Sequence, residues 1–145
     1  NDPLLELIDN NITKISHAIR SLRLGDGTLA RINGGRSYSR DAIDKVLEKT
    51  GIKLRSRISS SLTTSGYERL ASGRSIIIMD CSHNSKDVYN GLLSFEMSVG
   101  RDRLIVNCGP PPNNEKNWEK ALASSAAHSC LVNNNTNSSS VKKHG

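Results

Sequence analysis

The apolar residues of this chain change their spacing part-way along, and that change fixes where helix gives way to sheet. Leu4, Leu5, Ile8, Ile12, Ile15, Ile19 and Leu22 follow one another mostly at steps of three and four, the period of one helical face. Beyond Gly66 the period falls to two, and Leu93, Phe95, Met97 and Val99 alternate with Ser94, Glu96 and Ser98. That is the pattern of a strand with one buried face. Helices first and strands later make the fold class α+β, with an antiparallel sheet or sandwich as its β part.

The boundaries follow from caps and turns. Asp2 is placed to cap the first helix, Pro3 suits its first turn, and Gly25 stops it. A second helix is predicted over residues 40–50, with Ser39 as its cap, Ile43, Val46 and Leu47 on one face, and Gly51 as its stop. The glycines at 25, 27, 34 and 35 lack the Lys-Ser/Thr ending of a phosphate loop and read as turns. Residues 53–65 read as a linker or an irregular edge strand.

Strands are expected at 67–70 and 74–80 around a turn at Ser72-Gly73, the second of them buried on both faces. A further hairpin is expected at 93–99 and 104–106 around Gly100-Arg101-Asp102. After Gly109-Pro110-Pro111-Pro112, a short helix is predicted near 118–124 and one more strand at 128–132. Residues 133–145 hold one apolar side chain, Val141, and are expected to form a disordered tail.

Composition excludes some functions. Twenty Lys+Arg against fourteen Asp+Glu give a net charge of +6, which favours an anionic partner. The basic residues are scattered without interleaved aromatic residues, so they read as solvated surface and no nucleic-acid partner is expected. The longest apolar run is Ile76-Ile77-Ile78-Met79, far short of the roughly 18 residues a spanning helix needs, so no membrane partner is expected. No leader is visible, and localisation is open. Cys81, Cys108 and Cys130 show no CxxC spacing and read as buried thiols.

Several blocks carry a family resemblance: Gly66-Tyr67-Glu68-Arg69-Leu70 with Gly73-Arg74, then Leu93-Ser94-Phe95-Glu96-Met97-Ser98 with Gly100-Arg101. Leu104-Ile105-Val106-Asn107-Cys108-Gly109 and Ala126-Ala127-His128-Ser129-Cys130-Leu131-Val132 follow in order. Together they resemble the opening strands of the β-domain of heparinase II/III-like polysaccharide lyases. The first helix and the segment from Leu29 to Gly35 resemble the end of that family's α/α toroid.

The resemblance implies residues 1–52 as toroid end, 66–132 as the first part of a β-sandwich, and 133–145 as a polar tail. It implies β-elimination on uronic-acid-containing polysaccharides, an acidic polysaccharide as partner, and the remainder of a toroid upstream that holds the family's Tyr and Asn. Its implied catalytic residues are His128 and Tyr89, with Arg74 binding substrate, and Arg74 and Glu96 pairing across the sheet. In some members the sandwich holds zinc. Here the matching positions are Asp87, Tyr89, Gly91, Asn107 and His128, so two imidazoles are missing and His128 with Asn107 make a poor zinc set. No cofactor is expected unless that site is retained, with His83 as a substitute ligand and Cys130 sharing the sheet face of His128. The alternatives are a non-catalytic relative that binds acidic glycan and a basic binding module unrelated to sugars.

Overall fold

The computed structural model describes residues 2–52, 61–62, 65–82, 89–112 and 115–139. Helix α1 (Pro3–Ser21) begins where the Asp2 carboxylate accepts the Leu4 N–H at 2.9 Å, with Pro3 in the first turn. Helix α2 (Arg40–Lys49) begins where the Ser39 hydroxyl accepts the Ala42 N–H at 3.2 Å, and Gly51 follows it in a left-handed conformation. Arg23, just past α1, ties the two helices together. Its guanidinium reaches the Asp44 carboxylate on α2 at 2.7 Å and the Gly27 carbonyl at 2.7 Å.

Five strands form one antiparallel meander in the order β1 (Ser61–Leu62), β2 (Tyr67–Ser72), β3 (Ser75–Asp80), β4 (Phe95–Val99) and β5 (Asp102–Ile105). Of the two readings of 53–65, linker or irregular edge strand, Ser61–Leu62 follows the second, while 53–60 and 63–64 lie outside the described residues. Helix α3 (Lys116–Ala123) and a 3-10 turn (Ser125–Ala127) follow the sheet.

The alternation at 93–99 marks a strand, but the covered face is the polar one. Ser94, Glu96 and Ser98 are fully buried, whereas Phe95, Met97 and Val99 are half-buried and Leu93 is 56% exposed. The register puts Ile76 opposite Ser98 and Ile78 opposite Glu96, on the same face. Residues 22–33 lie across that face. Leu24 and Ile32 pack on Ile78, the Gly25 N–H donates to the Ser98 hydroxyl at 2.9 Å, and the Asn33 side-chain amide donates to the Asp80 carboxylate at 2.9 Å. The opposite face carries Leu70, Ile77, Met79, Phe95, Met97 and Ile105, all half-buried or exposed. Strand β3 is accordingly buried on one face only, with Ile78 and Asp80 as its fully enclosed residues.

A bulge between Met97 and Ser98 reinforces this arrangement. It pairs Ser98 with Arg103 and Met97 with Ile105, so Leu104 is the extra residue and Ile105 stays off the face that holds Glu96. Arg103 fills that face instead. Its guanidinium donates to Asp26 Oδ2 at 2.8 Å, to Glu96 Oε2 at 2.7 Å, to the Leu29 carbonyl at 2.9 Å and to the Thr28 hydroxyl. Glu96 thus pairs with Arg103 and not with Arg74, because Arg74 sits beyond the end of β3 with its guanidinium against the Gly100 backbone.

Three further expectations are corrected. Residues 128–132 form a turn and irregular chain, since β5 has ended and among the described residues no strand pairs with them. The tail folds back as far as Ser139: Asn133 and Thr136 form a bridge, Asn137 Oδ1 accepts the Ser125 N–H at 2.9 Å, and the Ser138 N–H donates to the Ser125 hydroxyl at 2.9 Å. Local hydrogen bonds do there what apolar burial does not. The cysteines are free but none is buried: Cys108 is exposed, and Cys81 and Cys130 are intermediate. Among the described residues no helix is long and apolar enough to cross a membrane.

Candidate functional site

Three segments converge beside the Asp80 end of the sheet. The first is the turn at Asn33 and Gly34, both in the left-handed region at φ 52° and 69°, which Asn and Gly tolerate best. Asn33 is anchored by its amide on Asp80 and on the Tyr67 hydroxyl at 3.3 Å. Asp80, itself 1% exposed, also accepts the Ser82 N–H at 3.0 Å. The second segment is Tyr89-Asn90-Gly91, held by the Asn90 N–H on the Ala123 carbonyl at 2.8 Å and by the Ser125 hydroxyl on the Asn90 carbonyl at 2.6 Å. The third is the turn through His128 and Ser129.

Glycine permits the contacts between them. A Cβ on Gly34 would lie 2.3 Å from the Tyr89 ring, and one on Gly91 would lie 3.1 Å from the His128 ring. The two rings meet edge to face, with centroids 5.9 Å apart and planes at 88°. His128 is 8% exposed. Burial pushes its pKa below the ordinary 6.5, and the Leu122 main chain offsets only part of that without meeting hydrogen-bond geometry. At neutral pH the imidazole is therefore predominantly uncharged, with both ring nitrogens enclosed.

The fold brings His128 and Tyr89 together and leaves Arg74 apart. Arg74 stands at the opposite end of β3, roughly 20 Å away at the rise of an extended strand. His83 and Asp87 lie outside the described residues. Cys130 does not share a sheet face with His128. Its thiol points back to the Ser125 carbonyl at 3.4 Å.

Asn107 has a different role from a metal ligand. Its Oδ1 accepts the Ser129 N–H at 2.9 Å, and its side chain is 1% exposed. The oxygen that a metal would need is thus already engaged, and the remaining amide nitrogen is not a ligand. Among the described residues no three His, Cys, Asp or Glu side chains gather as a metal set. The described residues do not fit the zinc site of the metal-binding relatives.

The heparinase II/III-like, C-terminal family matches residues 54–145, well over half of the chain. The chain belongs to the heparinase II/III-like family. The matched region includes β2 to β5, Tyr89, Asn107 and His128. The chain is also 30% identical over 115 residues to FtsZ-localized protein C of Caulobacter vibrioides, an alignment that covers 76% of this chain and 20% of that protein. It therefore spans about a fifth of the length of that curated relative. No solved structure matches the chain.

Tyr89 and His128 are singled out in the sequence through the family resemblance, whereas Asn33, Gly34, Gly91 and Ser129 lie in or beside the same segments with no role read for them and Asp80 lies outside them. The Asn33-Gly34 pair does signal a turn with positive φ. Nothing local shows that the turn comes to rest on Tyr89.

The depressed His128 pKa has a measurable consequence. As pH falls through 6.5, the unfolded chain takes up the proton on His128 before the folded chain does, so stability present above 6.5 is lost below it. The thermal midpoint, followed by circular dichroism, is expected to fall as pH is lowered through that window. His128→Gln is expected to flatten this part of the profile. An unchanged slope in that variant would assign the dependence to another group.

Proposed function

We propose that this chain is the β-domain portion, with adjoining helices from the end of an α/α toroid, of a lyase that cleaves uronic-acid-containing polysaccharides by β-elimination. Membership of the heparinase II/III-like family supports the reaction class. The observation that carries the proposal is the contact between the Tyr89 phenol and the buried, uncharged His128 imidazole within the matched region.

In β-elimination a base removes the proton on the carbon beside the uronate carboxylate. The electrons form a carbon–carbon double bond as the glycosidic C–O bond breaks, and an acid returns a proton to the leaving oxygen. A neutral imidazole suits the first transfer and a phenol the second. Neutralisation of the carboxylate is assigned to toroid groups outside this chain, so the chain alone binds uronate without cleaving it. The half-covered apolar face of the sheet, from Leu70 to Met97, supports a second sheet packing there in a sandwich.

Titration of the isotopically labelled chain with uronic-acid oligosaccharides tests the proposal. The Tyr89 and His128 side-chain resonances are expected to shift in a saturable manner. No ultraviolet absorbance from unsaturated uronate should grow. Saturable shifts that bypass both rings would overturn the assignment of the site, as would no binding at all. The missing imidazoles at Asp87 and Tyr89 favour a second reading, in which the parent protein binds acidic glycan without catalysis. Assay of the parent protein for unsaturated uronate separates the two readings.

A further inference from the structure

The loop that carries His128 is held by a hydrogen-bonded chain starting in the helical segment. At Phe95, strand β4 has outrun β5, whose last pairing is Ile105 with Met97. The Phe95 N–H and carbonyl on that side would lack partners, and the Ser129 hydroxyl supplies both, accepting the N–H at 3.0 Å and donating to the carbonyl. Ser129 therefore stands in for a strand. Its own N–H is fixed by Asn107 Oδ1 at 2.9 Å.

Asn107 is fixed in turn. Its backbone N–H donates to Glu96 Oε1 at 2.9 Å, while Glu96 Oε2 is held by Arg103, which also grips Asp26, Thr28 and the Leu29 carbonyl. Glu96 and Asn107 are almost completely enclosed, at 0% and 1% exposure. Few alternative partners are available to such groups, so each link constrains the next.

We infer that Asn107, set by Glu96 and Arg103, is a positioning residue for His128, and that this polar relay couples the turn at residues 25–29 to the Tyr89–His128 pair. The inference rests on the reading of that pair as the site. The relay explains why Glu96 and Ser98 face inward against apolar expectation: the inward face carries the connection between the helical segment and the site. It gives Asn107 a function that does not depend on a metal.

Nuclear magnetic resonance on the full chain, without glycan and well below the thermal midpoint, tests the relay. In the wild-type protein a scalar coupling through the hydrogen bond is expected between the Ser129 amide nitrogen and the Asn107 side-chain carbonyl carbon. Its absence overturns the relay even if no variant folds. In Asn107→Leu the Ser129 amide is expected to exchange at least tenfold faster, and the nuclear Overhauser contact between the Tyr89 and His128 rings to be lost. Asn107→Asp, which keeps the acceptor oxygen, is expected to restore that contact.

A folded Asn107→Leu that keeps both the ring contact and the Ser129 protection would show that Asn107 acts only on stability. These readouts involve no sugar. A relay that passes while uronate leaves both rings unshifted would therefore retire the glycan reading and keep the positioning claim.

Discussion

Arg103→Met is expected to lower folding stability by about 3–5 kcal/mol, the usual consequence of removing one partner from a buried ion pair. The chain should then unfold well below the wild-type midpoint in urea, with circular dichroism as the probe. Glu96 is fully enclosed, so without the guanidinium its charge loses its counter-ion and one of its two hydrogen-bond partners. The damage extends past Glu96. Asp26 also loses its ion pair, and the Leu29 carbonyl loses a donor.

Burial raises the Asp26 pKa, but the Arg103 guanidinium together with the Thr28 N–H and hydroxyl more than reverses this, leaving the carboxyl below its ordinary 3.8. Stability from that group is present above 3.8 and is lost as pH falls through the lower folded value. In Arg103→Met the acid limb of the stability profile should therefore shift toward higher pH. A double variant, Glu96→Leu with Arg103→Met, is expected to recover part of the loss because the uncompensated charge goes with it. Recovery stays partial, since Asn107, Asp26 and Leu29 still lack their partners. A single variant as stable as wild type would mean that water reaches Glu96 and that the enclosed polar face is misassigned.

That polar face also marks the limit of what the sequence shows. Helix caps at Asp2 and Ser39 and the turns at Gly51 and Gly73 are local chemistry, and they read correctly from neighbouring residues alone. The strand at 95–99 is legible from its period, but period alone does not say which face is covered. Covering the apolar side is the usual outcome. Here residues 22–33 cover the other side, because Arg103, Ser98 and Asp80 offer them specific partners. Those partners are some 47 to 77 residues apart in sequence, and no local pattern records them.

The same reason hides part of the site. His128 and Tyr89 stand out through the family resemblance, but the apolar Cys130-Leu131-Val132 run reads as strand when its neighbourhood is unknown. In the fold, β5 ends too early to pair with it, and a serine hydroxyl takes over the pairing at Phe95. α1 follows a similar pattern. Its apolar stripe predicts a buried face, yet Leu4, Leu5 and Ile15 are about three-fifths exposed while Ser16 and Ser21 are its enclosed residues. Ser16 satisfies its hydroxyl on the Ile12 carbonyl at 2.8 Å, which lets a polar residue occupy an enclosed position.

Gly25→Ala is expected to be the most damaging change of a single methyl group in the chain. A Cβ at position 25 would lie 1.7 Å from the Gly100 carbonyl oxygen and 2.8 Å from its carbon, both backbone atoms, and 3.2 Å from the Ser98 hydroxyl. A flexible side chain would swing away, but Gly100 cannot. It sits in the left-handed turn between β4 and β5, with its N–H on the Arg74 carbonyl at 2.8 Å and the Arg74 guanidinium where a Cβ would stand. The turn at 25–29 must therefore lift from the sheet, stretching the bond from the Gly25 N–H to Ser98 and the contacts of Arg103 with Asp26, Thr28 and Leu29. Overpacking costs about 1–3 kcal/mol where side chains can yield. With backbone on both sides, the loss is expected at or above the top of that range. Urea denaturation reads the stability, and amide exchange at Thr28 and Ala30 reads the lifting of the turn. Faster exchange at those amides with slower change elsewhere in the sheet is the expected pattern, whereas a near-neutral Gly25→Ala would mean that the turn and the sheet are not in contact.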